Sequence, residues 1–229
     1  MAKVLAVMKA LFWLFVLALP FAFPHPVNAE PLDFGPNLSR SGWVVVRFPR
    51  IPPASFRAAD RSTLEVSTEA AAGLLWRRMR EARHQGRLAN WRWMVTEGVP
   101  PTDLTRRGKD DRTLGVYFIF GIAADASKAP LALLASPSVS ALVYVFGGDK
   151  PRGSMLSSPH MGARGRFIIL RPADAQKGAW FDETVDLAKD YARAFHTPPP
   201  LLIAIAISSD SDDTGRRSQA TLRSLAIGR

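Results

Sequence analysis

The stretch LLIAIAIS, residues Leu201–Ser208, is the most apolar run in the second half of the chain. Two other runs have the same character: LGVYFIFG at Leu114–Gly121 and ALVYVFG at Ala141–Gly147. Each has the length of a strand, and none alternates apolar with polar residues. Continuous apolar strands are typical of the centre of a sheet that is covered on both faces. These three runs therefore predict the middle of a packed β-sandwich.

Around that centre, shorter runs alternate with clusters of Gly, Pro and Ser, a pattern that favours a mainly β fold. The further predicted strands are Gly42–Phe48, Ser62–Ser67, Ala89–Val95, Gly165–Arg171 and Thr221–Ile227. An apolar strand, an Asp-rich turn and a short last strand in succession resemble galactose-binding-like jelly rolls, which is an analogy of fold and assigns no function. The predicted fold class is therefore a β-sandwich or jelly roll, galactose-binding-like, with one or two helices.

Two segments carry a helical pattern. Apolar residues recur at intervals of three and four from Val185 to Phe195, after the acidic start Phe181-Asp182-Glu183 and before the prolines of Thr197–Pro200. This pattern predicts a helix that begins at about Phe181. The second candidate is Glu69–Arg83, which is rich in Ala, Leu and Arg, although its first half can equally form a strand.

The first 29 residues have the composition of a secretory signal. Met1–Lys9 carries two lysines and no acid, Ala10–Phe23 is almost wholly apolar, and Val27-Asn28-Ala29 suits a signal peptidase. A retained anchor is the alternative, but a spanning helix needs about 20 apolar residues and prolines interrupt this run. We expect cleavage after Ala29, one β-sandwich domain over residues 30–229, no membrane span after cleavage, and a periplasmic or secreted location.

The composition of the chain excludes thiol chemistry and indicates a basic surface. The absence of cysteine excludes disulfides, thiolate metal sites and cysteine nucleophiles, and it fits export to a bacterial envelope. The formal net charge is +10, which becomes +8 when Lys3 and Lys9 leave with the signal, and arginines cluster in Trp76–Arg92. A basic surface attracts anionic lipid, acidic polysaccharide or nucleic acid. An exported location favours the first two and predicts no nucleic-acid partner; a merely solvated basic face is the alternative.

Trp91 and Trp93 form the first candidate binding feature. On a strand they point to one face while Arg92 points to the other. Two indoles on one face can stack on sugar rings or fill a core, and the core is the commoner place for tryptophan.

Two Asp-rich loops form the second feature. Asp103, Asp110 and Asp111 precede the predicted strand Leu114–Gly121, and Asp210, Asp212 and Thr214 follow LLIAIAIS. Several converging oxygens suit Ca²⁺, which takes six to eight of them, although the second loop lacks the glycine and glutamate of an EF-hand. Each aspartate can instead cap a turn or pair with an arginine, such as Arg112, Arg216 or Arg217.

His160 is the last candidate. It lies in the loop MLSSPH between two predicted strands, where a histidine can act as a base or a ligand. A single loop histidine more often has neither role. The neighbouring serines lack the strand–turn–helix context of a nucleophile elbow, so they predict no serine hydrolase.

Taken in order, these motifs resemble the bacterial secreted family called domain of unknown function 3047. The matching stretches are Trp91–Trp93, Lys109–Asp111, Leu142–Phe146, Ser158–His160, Asp190–Phe195 and Ser209–Thr214. The resemblance implies an exported protein without an established activity. This sequence departs from the family pattern at Lys109, where a glycine is usual, and at Phe146, where a tryptophan is usual. The four carboxylates Asp110, Asp111, Asp210 and Asp212 match.

We predict from this an exported module that binds a glycan or another cell-envelope polymer. The alternative is a carboxylate-dependent hydrolase of envelope polysaccharide, which needs two carboxyls about 5–5.5 Å or 6.5–9.5 Å apart and leaves His160 as an auxiliary group. A third interpretation is that the acids only stabilise turns. Both functional hypotheses require the two acidic loops to lie side by side at one edge of the β body.

Overall fold

A computed structural model describes residues 29–80 and 87–228. Met1–Asn28, nearly all of the predicted signal, lie outside the described residues, so the signal and the exported location stay predictions. Within the described residues, no helix has the length and apolar character needed to cross a membrane.

Thirteen β-strands and two α-helices make up the described part of the chain. The first strands are β1 (Glu30–Pro31), β2 (Trp43–Val46), β3 (Ser55–Ala58), β4 (Thr63–Glu69), β5 (Ala72–Arg78), β6 (Leu88–Glu97) and β7 (Arg112–Gly121). They are followed by α1 (Pro130–Ala135), β8 (Ser140–Phe146), β9 (Met155–Ser158), β10 (Gly162–Arg171), β11 (Phe181–Asp186), α2 (Leu187–Phe195), β12 (Leu201–Asp210) and β13 (Arg217–Gly228). A short 3-10 helix covers Ala123–Ser127.

The strands form two sheets. One has six strands in the order β11-β6-β13-β4-β3, with β1 paired to β13, and the other has seven in the order β2-β5-β12-β7-β8-β10-β9. All pairs are antiparallel except β8 with β10, which run parallel. The predicted fold class, a mainly β sandwich with one or two helices, is confirmed.

The main core lies between the two sheets. Alternate residues of β6 are buried, so that Trp91, Trp93 and Val95 face the seven-stranded sheet. They pack with the inward residues of β7 and β8, such as Phe118 and Tyr144. This alternation is what a strand shows when one face is buried and the other is more open.

A second apolar cluster covers the outer face of the seven-stranded sheet. Tyr117, Ile119 and Val143 pack there against Leu104 from the loop before β7 and Leu133 from α1. Every residue of β7 is buried in consequence, and nearly every residue of β8 and β12. The continuous apolar runs therefore arise for the predicted reason, because this sheet is covered on both sides.

One predicted helix begins later than expected, and the choice left open for the first half of Glu69–Arg83 is decided in favour of a strand. Phe181–Asp186 is a strand paired with β6, and α2 begins only at Leu187, where the Asp186 carboxylate caps the Lys189 amide at 2.9 Å. The alternating burial of Phe181–Asp186 fits an edge strand better than the first turn of a helix. Ala72–Arg78 is the strand β5 rather than helix, because its apolar residues pair with β12 in the sheet centre.

Candidate functional site

The two acidic loops meet at one edge of the seven-stranded sheet. β7 and β12 are antiparallel neighbours, and their register places Arg112, the first residue of β7, opposite Asp210, the last residue of β12. The loop before one strand therefore adjoins the loop after the other. We call this cluster of carboxylates the acidic rim; its members are Asp110, Asp111, Asp210, Asp212 and Asp213. The spatial expectation drawn from the sequence is confirmed.

Asp111 ties the two loops together. Its side chain is fully buried, and its carboxylate accepts hydrogen bonds from the backbone N–H of Asp213 (3.3 Å) and of Thr214 (2.7 Å). Charge-assisted bonds to backbone amides are stronger than neutral ones, so they hold the turn after β12 in place. Thr214 thus contributes its backbone amide to the rim, and Asp111 has a structural role whatever else it does.

Arg112 is the buried cation of the rim. Its Nη1 lies 3.2 Å from Asp210 Oδ2 and 3.7 Å from Asp110 Oδ2, and it also donates to the carbonyl of Asp110 at 3.0 Å. Its Nη2 donates to the Tyr117 hydroxyl at 2.8 Å. The sequence suggested Arg112 only as one partner among several; the fold makes it the counter-ion of both loops.

Three buried polar atoms around Arg112 have no partner among the described residues: Arg112 Nε, Ser208 Oγ and Asp210 Oδ1. Ser208 Oγ lies near the Tyr117 hydroxyl, but not in hydrogen-bonding geometry. A side chain at Gly115 would lie 2.7 Å from Ser208 Oγ and 3.4 Å from Arg112 Nε, so the glycine leaves this part of the sheet face clear. Buried polar atoms are nearly always paired, so three unpaired ones around a single arginine mark this part of the sheet as unusual.

The acids of the rim perturb one another. Burial raises the pKa of Asp210 to about 9, Arg112 opposes that rise, and Asp212 adds to it by lying close enough to share a proton. Burial together with the negative charge of Asp111 also raises the pKa of Asp213. Carboxyls whose surroundings separate their protonation states are suited to acid–base work, and a cation that bound here would have to displace the proton of Asp210.

The acidic rim contains several carboxylate oxygens that could coordinate one cation. One carboxylate oxygen from each of Asp111, Asp210 and Asp212 can be chosen so that all three lie within 4.8 Å of one another. Oxygens about 2.3–2.6 Å from a central Ca²⁺ have separations in this range. Asp210 Oδ1 accepts no hydrogen bond from a donor among the described residues, so it is available either to share a proton with Asp212 or to coordinate a cation. The residues present therefore fit a calcium ion with further ligands from water or substrate.

His160 joins the same site from the turn between β9 and β10. Its Nε2 lies 3.0 Å from Asp110 Oδ2, and 59% of its side chain is exposed. Asp110 itself is buried, so the pair presents an imidazole to solvent with a carboxylate behind it. Such an arrangement orients the ring and fixes which nitrogen carries the proton.

Asp103 is not part of the rim. Its carboxylate accepts hydrogen bonds from the Thr105 hydroxyl and the Thr105 amide, which lower its pKa. Among the described residues it contacts no member of the rim. It therefore serves as the turn cap that was the alternative to a binding role.

Trp91 and Trp93 do not agree with the sugar-stacking hypothesis. Their side chains are 1% and 0% exposed, and their rings pack edge to face at 5.5 Å in the core between the sheets. The inward face of β6 is buried by the second sheet, which a single strand pattern does not reveal. The core interpretation is the correct one for both.

A two-sheet β-sandwich with an acidic rim is the class of protein that these features define. A family model described as protein of unknown function (DUF3047) matches residues 41–226, and the chain belongs to that family, as the motif order predicted. No curated protein sequence matches the chain.

Two solved structures are similar to this chain. One is the xyloglucanase domain of NopAA, a type three effector from Sinorhizobium fredii, in complex with cellobiose, with 9% identity over 89% of this chain and 99% of that one, at a TM-score of 0.46. The other is endoglucanase 3 of Trichoderma harzianum, from family GH12, with 9% identity over 87% of this chain and 95% of that one, at a TM-score of 0.38. At these TM-scores neither similarity carries an argument about function.

Proposed function

We propose that this chain is an exported envelope protein that binds a glycan or another cell-envelope polymer at the acidic rim. The observation that carries the proposal is the convergence of Asp111, Asp210 and Asp212 within 4.8 Å, with one buried oxygen of Asp210 left unpaired. Carboxylates in such a setting accept hydrogen bonds from the hydroxyls of a sugar. His160, exposed beside them, adds a ring nitrogen to the same surface.

Calcium is the ion that we propose at the rim. The three carboxylates would supply part of its six to eight oxygen ligands, and the hydroxyls of a sugar ring are oxygens of the right kind to supply others. Even with Asp210 protonated, Arg112 compensates only part of the negative charge of the rim, so a divalent cation that displaces this proton would relieve the remaining repulsion. Calcium would thus both order the rim and present it to a saccharide.

The test is binding of the purified protein to a broad glycan array, in 1 mM CaCl₂ and in EDTA (about the range where extracellular calcium modules are loaded). We expect retention on at least one glycan in calcium and a loss in EDTA. Asp212→Asn, which removes one carboxylate at a partly open position, should abolish the retention. If no glycan binds under either condition, the proposal fails.

Asp103→Asn is the matched control. It makes the same change in a different acidic residue of these loops, and asparagine can still accept the bonds from Thr105. It should bind glycans as the original protein does. Trp91→Ala is not a test of binding, because it removes a core side chain and would lower stability first.

A carboxylate-dependent hydrolase is the second candidate. It is favoured by the pairing of Asp210, whose pKa burial raises, with a second carboxylate, Asp212, within 4.8 Å, because two carboxyls of unequal acidity can divide the acid and nucleophile roles. In that reaction the protonated Asp210 would donate its proton to the glycosidic oxygen, and Asp212 would attack the anomeric carbon. Water would then release the sugar from Asp212.

Release of reducing ends from a panel of envelope polysaccharides separates the two candidates. A binding module retains the glycan and releases nothing. A hydrolase releases sugar, loses that activity in both Asp210→Asn and Asp212→Asn, and keeps it in Asp103→Asn. Activity that survives in both rim variants would exclude these carboxylates as its source.

A further inference from the structure

A basic pocket lies at the opposite end of β5 from the acidic rim. It has a volume of ≈ 660 Å³, and four arginines line it: Arg40, Arg77, Arg78 and Arg80. Ala72, at the start of β5, pairs with Asp210 of the rim, whereas Arg78, at its end, pairs with Ala204. Arg78 follows Ala72 by six residue steps along the strand, which places the two features roughly 20 Å apart along the sheet.

Three of the four arginines of this pocket have no acidic partner within the part of the chain that the structure describes. Among the described residues, Arg40, Arg78 and Arg80 form no salt bridge with a carboxylate. Asp33 also lines the pocket, but its carboxylate is engaged by Arg61 (2.6 Å) and by the amide of Gly35 (2.6 Å). The pocket therefore keeps an excess of positive charge that an anionic ligand can compensate.

Uncharged groups contribute to the positioning of two of the arginines. Arg78 Nη2 donates to the carbonyls of Ser127 (2.9 Å) and Lys128 (3.0 Å). Arg77 Nη1 donates to the carbonyl of Asp33 at 3.1 Å, and its guanidinium lies over the Trp43 ring at 5.5 Å. Bonds to carbonyls fix the orientation of a guanidinium and leave its charge intact. A site that is fixed before its ligand arrives loses less entropy on binding.

The pocket also has apolar lining. Val44, on the edge strand β2, is 57% exposed there, and Pro130, the first residue of α1, lies on another side. Apolar side chains next to guanidinium groups suit a ligand with C–H faces and anionic substituents. The volume is in the range of about 300–1,000 Å³ that small-molecule sites occupy.

We infer that the basic pocket binds an anionic saccharide, one whose sugar units carry carboxylate or phosphate groups. Planar guanidinium groups bind both kinds of anion through paired N–H donors. Single-stranded nucleic acid is less well suited, because bases stack on exposed aromatic rings, and the tryptophan of the pocket, Trp76, is 2% exposed. This inference goes beyond the function proposed for the acidic rim and does not depend on it.

The experiment is a calorimetric titration of the purified full chain with oligogalacturonate, which carries one carboxylate on each sugar. Its methyl ester, which has the same sugar backbone without charge, is the matched ligand. We expect the charged oligomer to bind, its affinity to fall as salt is raised, and the ester not to bind. Inorganic phosphate is a competitor that reports whether the guanidinium groups accept phosphate as well as carboxylate.

Arg40→Gln/Arg80→Gln is the variant that removes the site. We expect its Kd for oligogalacturonate to rise by about 10–100-fold, since each guanidinium loses a charge-assisted hydrogen bond. Arg106→Gln/Arg216→Gln is the control, because it removes the same two charges from exposed residues beside the acidic rim. Its Kd should stay within about twofold.

The inference is overturned by equal weakening in both double variants, which would show diffuse attraction to a basic protein. Equal binding of the methyl ester, or stronger binding of a single-stranded oligonucleotide that the Arg40→Gln/Arg80→Gln variant loses, would also overturn it. Asp212→Asn should leave oligogalacturonate binding unchanged. Failure of this site can therefore be told apart from failure of the rim.

Discussion

The acidic rim and the basic pocket lie at opposite ends of β5. They differ in whether their charged side chains have partners within the fold. At the rim, Asp111 and Asp210 are occupied by backbone amides and by the buried Arg112. In the pocket, Arg40 and Arg80 meet no carboxylate among the described residues. The charged groups of the rim therefore contribute to the stability of the fold, whereas Arg40 and Arg80 of the pocket do not. A charged group that the fold needs and one that only a ligand needs can be distinguished by their partners.

Loss of Arg112 should produce the largest effect. Arg112→Met would leave the buried Asp110 carboxylate without its cation and Asp210 without its hydrogen-bond donor, and we expect a loss of about 3–5 kcal/mol in the free energy of unfolding. Urea denaturation measures this loss. Arg80→Met in the basic pocket is the matched change and should alter stability by no more than about 0.5 kcal/mol. Similar losses in the two variants would remove the distinction between the regions.

Asp111→Asn should have the next largest effect. The amide can still accept one backbone hydrogen bond, but it loses the charge and leaves either the Asp213 or the Thr214 N–H poorly paired. We expect destabilisation of about 1–3 kcal/mol and faster hydrogen exchange at the Thr214 amide. Asp103→Asn, where the acid caps only an exposed turn, should change neither. An unchanged Thr214 exchange rate in Asp111→Asn would contradict the role assigned to Asp111.

The protonation of Asp210 makes a pH-dependent contribution. Its folded-state pKa of about 9 lies above the ordinary value of 3.8, so the folded state holds a proton that the unfolded chain releases between those values. Stability should therefore fall as pH rises through this window. In EDTA, Asp210→Asn should gain stability relative to the original protein as pH rises from 5 to 8, by up to about 1.4 kcal/mol for each pH unit. A constant difference at all pH values would show that Asp210 is ionised in the fold.

Calcium binding should give the smallest of these effects on stability. It would show that the rim, like the pocket, is a site for a ligand. At a concentration about ten times its Kd, it should stabilise the folded state by about 1.4 kcal/mol, which appears as a rise in Tm that EDTA reverses. Asp212→Asn should abolish the rise, and Arg40→Gln/Arg80→Gln should not. An equal rise with CaCl₂ in all three proteins would indicate general salt screening rather than a site.

Much of the fold was predictable from particular stretches. The runs at Leu114–Gly121 and Leu201–Ser208 lie side by side in the sheet centre because only a doubly covered strand tolerates so many apolar residues in succession. The short edge strands β3 and β9 were not predicted, since their pairing depends on a neighbour and not on their own composition. The start of α2 was misplaced because acids suit both a helix cap and the open face of an edge strand.

The carboxylates of the candidate site could be predicted from the sequence, but the buried polar groups that lie between them could not. Four acids are conspicuous in the sequence because each lies in a loop directly beside an apolar strand. They are Asp110, Asp111, Asp210 and Asp212. Arg112 and Ser208 carry no such pattern, and they acquire a role only when β7 and β12 pair. Trp91 and Trp93 were open to two interpretations, and the burial of β6 by the opposite sheet decided between them.

By itself the sequence determined the class of fold, the lack of thiol chemistry, the family, and the two acidic segments. These depend on composition and on the order of residues along the chain. The tertiary structure alone decided that Arg112 lies between the two segments, that both tryptophans of β6 are inaccessible, and that Arg40 joins the arginines of β5 in one pocket. Those facts depend on which strands pair and in what register. Such pairing brings together residues that are far apart in the chain, and no local sequence pattern reveals that they will be in contact.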